Sequence, residues 1–196
     1  MVKASAQSWE QRKLGEVVYK MYNGQTPSRA NPNYWNGSIP WICSGELNRS
    51  HILNAKEHIT EEGKNSAHLQ IMPKGTLLIA ITGLEAPGTR GNCGIIDFDT
   101  TINQSCMALI PVGEVLETEF LFQWYRLKGE KFGIRITQGT KQQSYNAELL
   151  SKLPIELPSI VEQRQISSTL SKVDNLITLH QRNDSFHQNL YFLLLV

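Results

Sequence analysis

The stretch from Leu153 to Gln181 constrains the fold most, because it combines a short apolar strand signal, a proline and a long helix with its own start. Pro158 is followed by Ser159 and Glu162, which form the capping-box pattern of a helix N-terminus. Apolar residues then recur at steps of four, three and four, at Ile166, Leu170, Val173 and Ile177. This spacing is typical of a two-helix seam, although a helix that lies against the preceding domain would fit it equally well.

Length and composition predict one well-cored domain with a helical appendage. At 196 residues, the chain is too short for two ordinary domains and a spacer. Its 40% apolar and 19% charged residues are typical of a globular protein. We therefore predict a domain over residues 1–152 and a helical segment over residues 153–196.

Signals for strands and helices intermix without regular alternation, which predicts an α+β domain with a mixed, largely antiparallel sheet. The apolar run from Gly75 to Thr82 predicts a central strand covered on both faces. Thr60, Thr118 and Asn146 are predicted helix caps, and the helix that starts at Thr118 is expected to end near Lys131. Weaker patterns predict a short helix over residues 9–21 and strands over residues 102–110 and 134–137.

Cysteine usage and hydropathy exclude several classes of protein. Cys43, Cys93 and Cys106 are odd in number and far apart, so they indicate reduced thiols in a cytoplasmic protein and no zinc knuckle. The five histidines have no metal-binding or triad context, and we predict no cofactor. The N-terminus lacks a signal-peptide pattern, and no apolar run is long enough to span a membrane.

Charge is unevenly distributed although the formal net charge is only +1. Residues 120–141 hold five basic side chains and one acid, whereas residues 97–119 hold five acids and no base. A solvated helix face is the commoner cause of such a basic run, unless a neighbouring loop also offers phosphate donors.

Blocks spread along nearly the whole chain resemble the specificity subunits of Type I restriction-modification systems. The longest is Leu153-Pro154-Ile155-x-Leu157-Pro158-x-x-x-Glu162-Gln163-x-x-Ile166-x-x-x-Leu170-x-x-x-Asp174-x-x-Ile177. The others, in the family's usual order, are Trp9-Glu10-Gln11-Arg12-Lys13-Leu14-Gly15-Glu16, Gly24-x-Thr26-Pro27-Ser28, Ile39-Pro40-Trp41-Ile42, Ile59-Thr60-Glu61-Glu62-Gly63, Pro73-x-Gly75-Thr76-Leu77 and Asn103-Gln104. Each block is weak alone, and together they are specific.

The resemblance implies a non-catalytic subunit that reads double-stranded DNA and docks methyltransferase subunits and, through them, a restriction subunit. Such subunits usually carry two target recognition domains and two conserved helices, whereas this chain has one of each. We therefore predict a half-length form in which the helix packs as a coiled coil with a second copy, giving a homodimer. The alternatives are a helix-mediated adaptor without sequence-specific DNA binding, and an enzyme.

The stretch after Arg135 is the most suited to phosphate contacts, because it combines cations, a glycine, hydroxyls and amides. Gly139, Thr140 and Gln142 match a similar loop of the family, and an ordinary turn before the Asn146 helix is an equal alternative. The predicted DNA contacts here are Arg135, Thr140, Lys141, Gln142, Gln143 and Ser144.

Base edges are read by side chains with paired hydrogen-bonding groups on protruding loops. Prolines and glycines place six such side chains on loops, namely Arg29, Asn31, Asn33, Thr89, Arg90 and Asn92. A loop with Ser44, Glu46, Asn48 and Arg49 is a weaker candidate, and Trp35 and Trp41 are more typical of core than of base stacking. Any single one of these polar side chains is more often simply solvated.

Sequence motifs argue against the enzyme alternative. Asn31-Pro32-Asn33-Tyr34 resembles the catalytic motif of amino-methyltransferases, but Asn33 replaces the second proline. Gly63-Lys64 lacks the first glycine of a P-loop, since His58 stands there.

Overall fold

The computed structural model describes residues 8–84, 86, 88–135 and 144–194, with side chains as far as Gln181. The described strands are β1 (Glu10–Lys13), β2 (Val18–Asn23), β3 (Trp35–Ile42), β4 (Ser50–Ile52), β5 (Glu57–Ile59), β6 (Leu77–Ala80), β7 (Cys93–Ile96), β8 (Thr101–Ile102), β9 (Cys106–Pro111) and β10 (Pro154–Leu157). The described helices are α1 (Leu14–Val17), α2 (Glu61–Ser66), α3 (Thr118–Arg135), α4 (Ala147–Ser151) and α5 (Ile160–Leu194). In the described part of the chain, the helices lack the length or apolar character needed to cross a membrane.

The main sheet has five strands in the order β2-β9-β6-β7-β4 and is antiparallel except for the β4–β7 pair. A second sheet has the order β5-β3-β8, and β1 pairs with β10. The predicted α+β class with largely antiparallel strands is confirmed. Because β10 pairs with β1, the end of the domain joins its beginning, and the boundary between residues 1–152 and 153–196 stays a prediction.

Strand β6 lies at the centre of the main sheet, and all four of its residues are buried. Leu77 and Ile79 face the core that packs under α3, whereas Leu78 and Ala80 face a second core on the other side of the sheet. Successive side chains of a strand point to opposite faces, so a strand covered twice is apolar throughout. This arrangement explains the continuous apolar run from Gly75 to Thr82.

Three of the four predicted helix caps are present, whereas Thr118 is the first residue of α3 and the Glu117 carboxylate before it accepts from the Phe120 N–H at 3.0 Å. The Thr60 hydroxyl accepts a hydrogen bond from the Gly63 N–H at 3.0 Å, and the side-chain oxygen of Asn146 accepts one from the Leu149 N–H at 3.0 Å. Ser159 caps α5 by accepting from the Glu162 N–H at 3.3 Å. The Glu162 carboxylate departs from the predicted capping box, because it accepts a hydrogen bond from the Trp9 indole at 3.3 Å.

Three predicted elements differ from the structure. Residues 9–21 form β1, the short α1 and the start of β2, because the edges of β10 and β9 are available for pairing. The predicted strand over residues 102–110 is divided into β8 and β9 by a turn in which the Asn103 side chain accepts from the Ser105 N–H. Helix α3 continues to Arg135, so Ile134 and Arg135 are helical and do not begin a strand.

Candidate nucleic-acid interface

The loop between β6 and β7, residues 81–92, lies against the C-terminal half of α3. Gly91 has a φ of +71°, and a Cβ there would lie 2.8 Å from the Glu130 backbone nitrogen. A Cβ on Gly129 would in turn lie 3.0 Å from the Gly91 Cα, and one on Gly133 would lie 3.2 Å from the Arg90 side chain. Because glycine lacks a Cβ, the loop and the helix approach each other closely. This contact also explains why α3 extends beyond Lys131.

Hydrogen bonds link described residues of the same loop to one another and to Arg49. The Arg90 Nε donates to the Leu84 carbonyl at 2.5 Å, and the Arg49 guanidinium donates to the Arg90 carbonyl at 2.6 Å. The Asn92 amide donates to the Gly88 carbonyl at 2.8 Å. Arg90 and Asn92, both predicted to read bases, therefore also have a structural role, and the preceding residue Thr89 is half-buried. Arg49 supports the loop from a neighbouring segment, a role that its sequence context did not indicate.

The basic stretch predicted to contact phosphates begins and ends beside this loop. Arg135 is the exposed last residue of α3, two positions after the glycine that packs on Arg90. Ser144 pairs with Thr82 through a β-bridge at the base of the loop. The structure thus brings Arg135 and Ser144 to the same region as Thr89, Arg90 and Asn92. Thr140, Lys141, Gln142 and Gln143 lie outside the described residues.

Tyr145 anchors the chain directly after that basic stretch. Its N–H donates to the Ile81 carbonyl at 3.1 Å, and its hydroxyl hydrogen-bonds to that of Tyr125 on α3. Burial raises the pKa of Tyr145 to about 12, so the hydroxyl remains protonated even in moderately alkaline solution. Sequence analysis did not identify Tyr145 as an anchor, because the contact joins residues that are 20 positions apart.

Arg29, Asn31 and Asn33 lie in the segment before β3, beside the second sheet, and each makes different contacts. The Arg29 guanidinium lies 3.7 Å from the centroid of the Trp35 ring and pairs with both Glu57 carboxylate oxygens, at 2.5 and 2.9 Å. This ion pair lowers the pKa of Glu57. Asn31 caps a single 3₁₀ turn by accepting from the Asn33 N–H at 3.1 Å. The Asn33 side chain is exposed, so it is the member of this group best placed for contact with a ligand.

The weaker candidates, the loop after β3 and the two tryptophans, mainly stabilise the fold. Residues Ser44–Glu46 form a 3₁₀ turn, and the Glu46 carboxylate accepts from the Cys43 and Lys56 N–H groups at 3.0 and 2.9 Å. Trp41 is buried and packs edge-on against Trp35, with ring centroids 5.2 Å apart.

Burial raises the pKa of the Cys93 thiol to about 12. Among the described residues, no group of histidine, cysteine or acidic side chains could hold a metal ion.

His51 connects the edge strand β4 with the segment after β7 and with α3. Its Nδ1 lies 3.1 Å from Asp97 after β7, and its Nε2 lies 3.3 Å from Glu119 on α3. The hydrogen bond with Glu119, and to a smaller extent that with Asp97, raises the pKa of His51 to about 9, although partial burial opposes this shift. His51 is therefore protonated at neutral pH and acts as a cation between two acids.

We expect the contribution of His51 to stability to be fully present below about pH 6.5 and lost as the pH rises through about 9. The folded protein holds this proton more tightly than the unfolded chain, so loss of the proton removes stability. The melting temperatures of the wild type and of His51→Gln, measured from pH 6 to pH 10, should converge above pH 9. Parallel curves over the whole range would contradict the assignment.

The predicted apolar seam on α5 is mostly exposed. Leu170, Val173 and Ile177 are 40, 46 and 50% exposed, and Ile166 packs partly against the main core. Gln163, Ser167 and Asp174 instead face the domain, roughly 70° around the helix from the seam. The periodicity left two alternatives, a seam covered by the chain's own domain and a seam covered by a second helix. The domain does not cover Leu170, Val173 and Ile177, so the first alternative does not apply to them. The coiled coil stays a prediction.

Comparisons with known proteins agree with the resemblance seen in the sequence. The specificity subunit of the Type I restriction enzyme EcoR124I/EcoR124II from Escherichia coli is 27% identical over 197 residues, which cover 93% of this chain and 48% of that protein. The MjaIX specificity subunit of Methanocaldococcus jannaschii is 30% identical over 173 residues, covering 86% of this chain and 38% of that protein. The chain thus spans about half or less of these relatives.

Solved structures share the fold. The HsdS subunit from Thermoanaerobacter tengcongensis superposes with a TM-score of 0.67 at 21% identity, over 93% of this chain and 41% of that one. The Type I restriction-modification S subunit from M. genitalium superposes with a TM-score of 0.61 at 17% identity, over 89% and 41% of the two chains. The family model described as "Type I restriction modification DNA specificity domain" matches residues 6–185. Because this match covers most of its length, the chain belongs to the Type I restriction modification DNA specificity domain family.

Proposed function

We propose that this chain is a DNA sequence-specificity subunit of a Type I restriction-modification complex and that its domain reads a short half-site. The family match over residues 6–185 is the observation that carries the proposal. The loop of residues 81–92 and the neighbouring Arg135 and Ser144 offer donors and acceptors of the kind that contact bases and phosphates. An adaptor without sequence-specific DNA binding receives no support from the family match.

The proposed chain is itself non-catalytic and binds the methyltransferase subunit, which in turn binds the restriction subunit. The names of its relatives from E. coli and M. jannaschii describe specificity subunits of restriction enzymes and so support this division of labour. A complex that modifies cellular DNA would place the chain in the cytoplasm.

The proposal includes a homodimer formed through Ile166, Leu170, Val173 and Ile177. A 4-3-4 spacing suits a second helix, and the exposed stripe on α5 would be covered by one. A second copy is the simplest partner for this stripe, because identical subunits usually pair about a two-fold axis. Two copies packed antiparallel about a two-fold axis would place their domains at opposite ends of the helices. They would then read an inverted repeat with an unread spacer.

Reconstitution with the methyltransferase subunit of the same system tests this function. The complex with S-adenosylmethionine should methylate a defined subset of sites in genomic DNA, and the mapped sites should be inverted repeats. The chain alone should neither methylate nor cleave. Methylation that is independent of this chain, or turnover by the chain alone, would refute the proposal, and an asymmetric site would refute the homodimer.

We expect Arg135→Ala and Lys141→Ala to weaken binding to all duplexes similarly. Each substitution removes a cation predicted to contact a phosphate, so the slope of log affinity against log salt should flatten by about one unit per lost contact. Lys172→Ala, an exposed cation on α5, is the control and should leave the slope unchanged. An unchanged slope with altered sequence preference would show that these residues read bases instead.

A further inference from the structure

The surface by which α5 meets its own domain is polar over most of its length. From its start to Asp174, the side chains of α5 that face the domain include Gln163, which is fully buried, and Ser167, which is 4% exposed. A helix that simply covers a core would place apolar side chains here, and Ile166 is the partly buried apolar residue beside them. Apolar contact is non-directional, whereas hydrogen bonds depend on angle. A polar surface therefore holds the helix against the domain and also determines the orientation of the helix.

Gln163 is the first fixed point. Its Oε1 accepts from the Glu117 N–H at 3.0 Å, and its Nε2 donates to the carbonyls of Val115 and Pro158 at 2.9 and 3.0 Å. Both amide hydrogens are therefore used, and the three partners determine how the amide is oriented. The Ser167 hydroxyl lies one turn further and within 3.5 Å of the Glu117 carboxylate.

Asp174 is the second fixed point. Its carboxylate pairs with both terminal nitrogens of Arg126 on α3 and accepts from the Gln123 amide at 3.3 Å. The Arg126 hydrogen bonds lower the pKa of Asp174, so the carboxylate stays ionised at neutral pH. A bidentate arginine–carboxylate pair of this kind requires a specific relative orientation of the two side chains. Helix α3 runs in the same direction as α5, because Glu117 meets Gln163 and Arg126 meets Asp174.

Two fixed points define the direction of a rod, whereas one would allow it to pivot. Gln163 and Asp174 are separated by about 16 Å along the helix axis. From Gln163 to the end of α5 at Leu194 the helix is roughly 46 Å long, so a tilt of about 10° would move that end by about 8 Å. This displacement exceeds two base-pair steps of about 3.4 Å each.

We propose that the Arg126–Asp174 ion pair, acting with Gln163, sets the number of unread base pairs between the two half-sites by fixing the angle at which α5 leaves the domain. This inference rests on the proposed function and makes Arg126 and Asp174 positioning residues that touch no DNA. Both side chains are partly exposed, at 29 and 39%, so their replacement should leave the domain folded.

The test compares Asp174→Ala with the charge-swapped double variant Arg126→Asp/Asp174→Arg and with Asn175→Ala, an exposed neighbour, as the control. The probes are duplexes that carry two inverted copies of the mapped half-site with spacers varied by one base pair. The wild type and Asn175→Ala should prefer one spacer about 10-fold over its neighbours, whereas Asp174→Ala should prefer it by about 2-fold or less. Affinity for a single half-site should not change, and the double variant should regain a preference for one spacer.

Distances between spin labels provide a readout that needs no DNA. Labels at Leu53→Cys and Leu179→Cys, both exposed positions, report the angle between the domain and α5, with Cys43→Ser in every variant. The distance distribution should be narrow in the wild type and broad in Asp174→Ala. An unchanged distribution, or an unchanged spacer preference in Asp174→Ala, would overturn the inference while the proposed function stands. A wild type without preference for any duplex would instead refute the proposed function, and with it the spacing role.

Discussion

Leu170→Glu is expected to convert the proposed homodimer to monomers and to weaken binding to a duplex with two half-sites by about 100-fold or more. Leu170 lies in the middle of the exposed stripe on α5, so the new carboxylate would be buried against a partner helix without a compensating charge. Once the chains separate, each domain binds one half-site alone and loses the high effective concentration that the second site provides.

The domain itself should remain folded in this variant, because Leu170 is 40% exposed and lies outside its main core. Ser168→Glu is a matched control, since it introduces the same charge on an exposed position roughly opposite the stripe. Sedimentation of the three proteins gives their masses, and titration with single and paired half-sites gives their affinities. A monomeric wild type, or a Leu170→Glu variant that still dimerises, would exclude this interface.

Gly91→Ala should produce the second large effect, a loss of about 3 kcal/mol of stability together with weaker DNA binding. Alanine is strained at a φ of +71°, and its Cβ would lie 2.8 Å from the Glu130 backbone nitrogen, so the loop must move away from α3. The loop carries Thr89, Arg90 and Asn92, and its displacement would disturb all three together.

Two further glycines separate the causes of this effect. Gly75 has a φ of +84°, and a Cβ added there would have open space around it, so Gly75→Ala measures backbone strain without a clash. Gly88 lies in the same loop as Gly91 and also has room for a Cβ, so Gly88→Ala controls for loop composition. Thermal unfolding and duplex titration should rank Gly91→Ala as the most damaging of the three. Wild-type DNA affinity in a destabilised Gly91→Ala would remove the loop of residues 81–92 from the interface.

The blocks that carry the family resemblance mostly occupy structural positions. Gly24 lies against β8, where a Cβ would overlap the Ile102 carbonyl oxygen, and the Thr26 hydroxyl donates to the Gln104 side chain. Gly63 packs on Tyr34 in the same way, since a Cβ would overlap the Tyr34 carbonyl oxygen. The blocks therefore indicate the frame of the domain, whereas the candidate DNA contacts lie on the loops between them.

Local chemistry was sufficient to predict the parts of the fold that depend on neighbours in sequence. Thr60, Asn146 and Ser159 cap helices because a side-chain oxygen reaches an amide three residues away. The apolar run at Gly75–Thr82 predicted a doubly covered strand because burial on both faces leaves no place for a polar side chain. The 4-3-4 spacing on α5 likewise predicted a stripe, although not what would cover it.

Long-range contacts decided the rest. Residues 10–13 became a strand because β10, more than 140 positions later, offers an edge for pairing, and α3 reached Arg135 because a distant loop packs on Gly129 and Gly133. The same is true of the candidate site. Sequence identified Arg29 and Arg90 as polar residues on loops, but only the tertiary structure showed that Arg29 pairs with Glu57 over Trp35 and that Arg90 bonds to Leu84. The face of α5 that meets the domain was also decided by distant parts of the chain. Gln163 is buried because its side-chain amide forms hydrogen bonds with backbone groups of the domain.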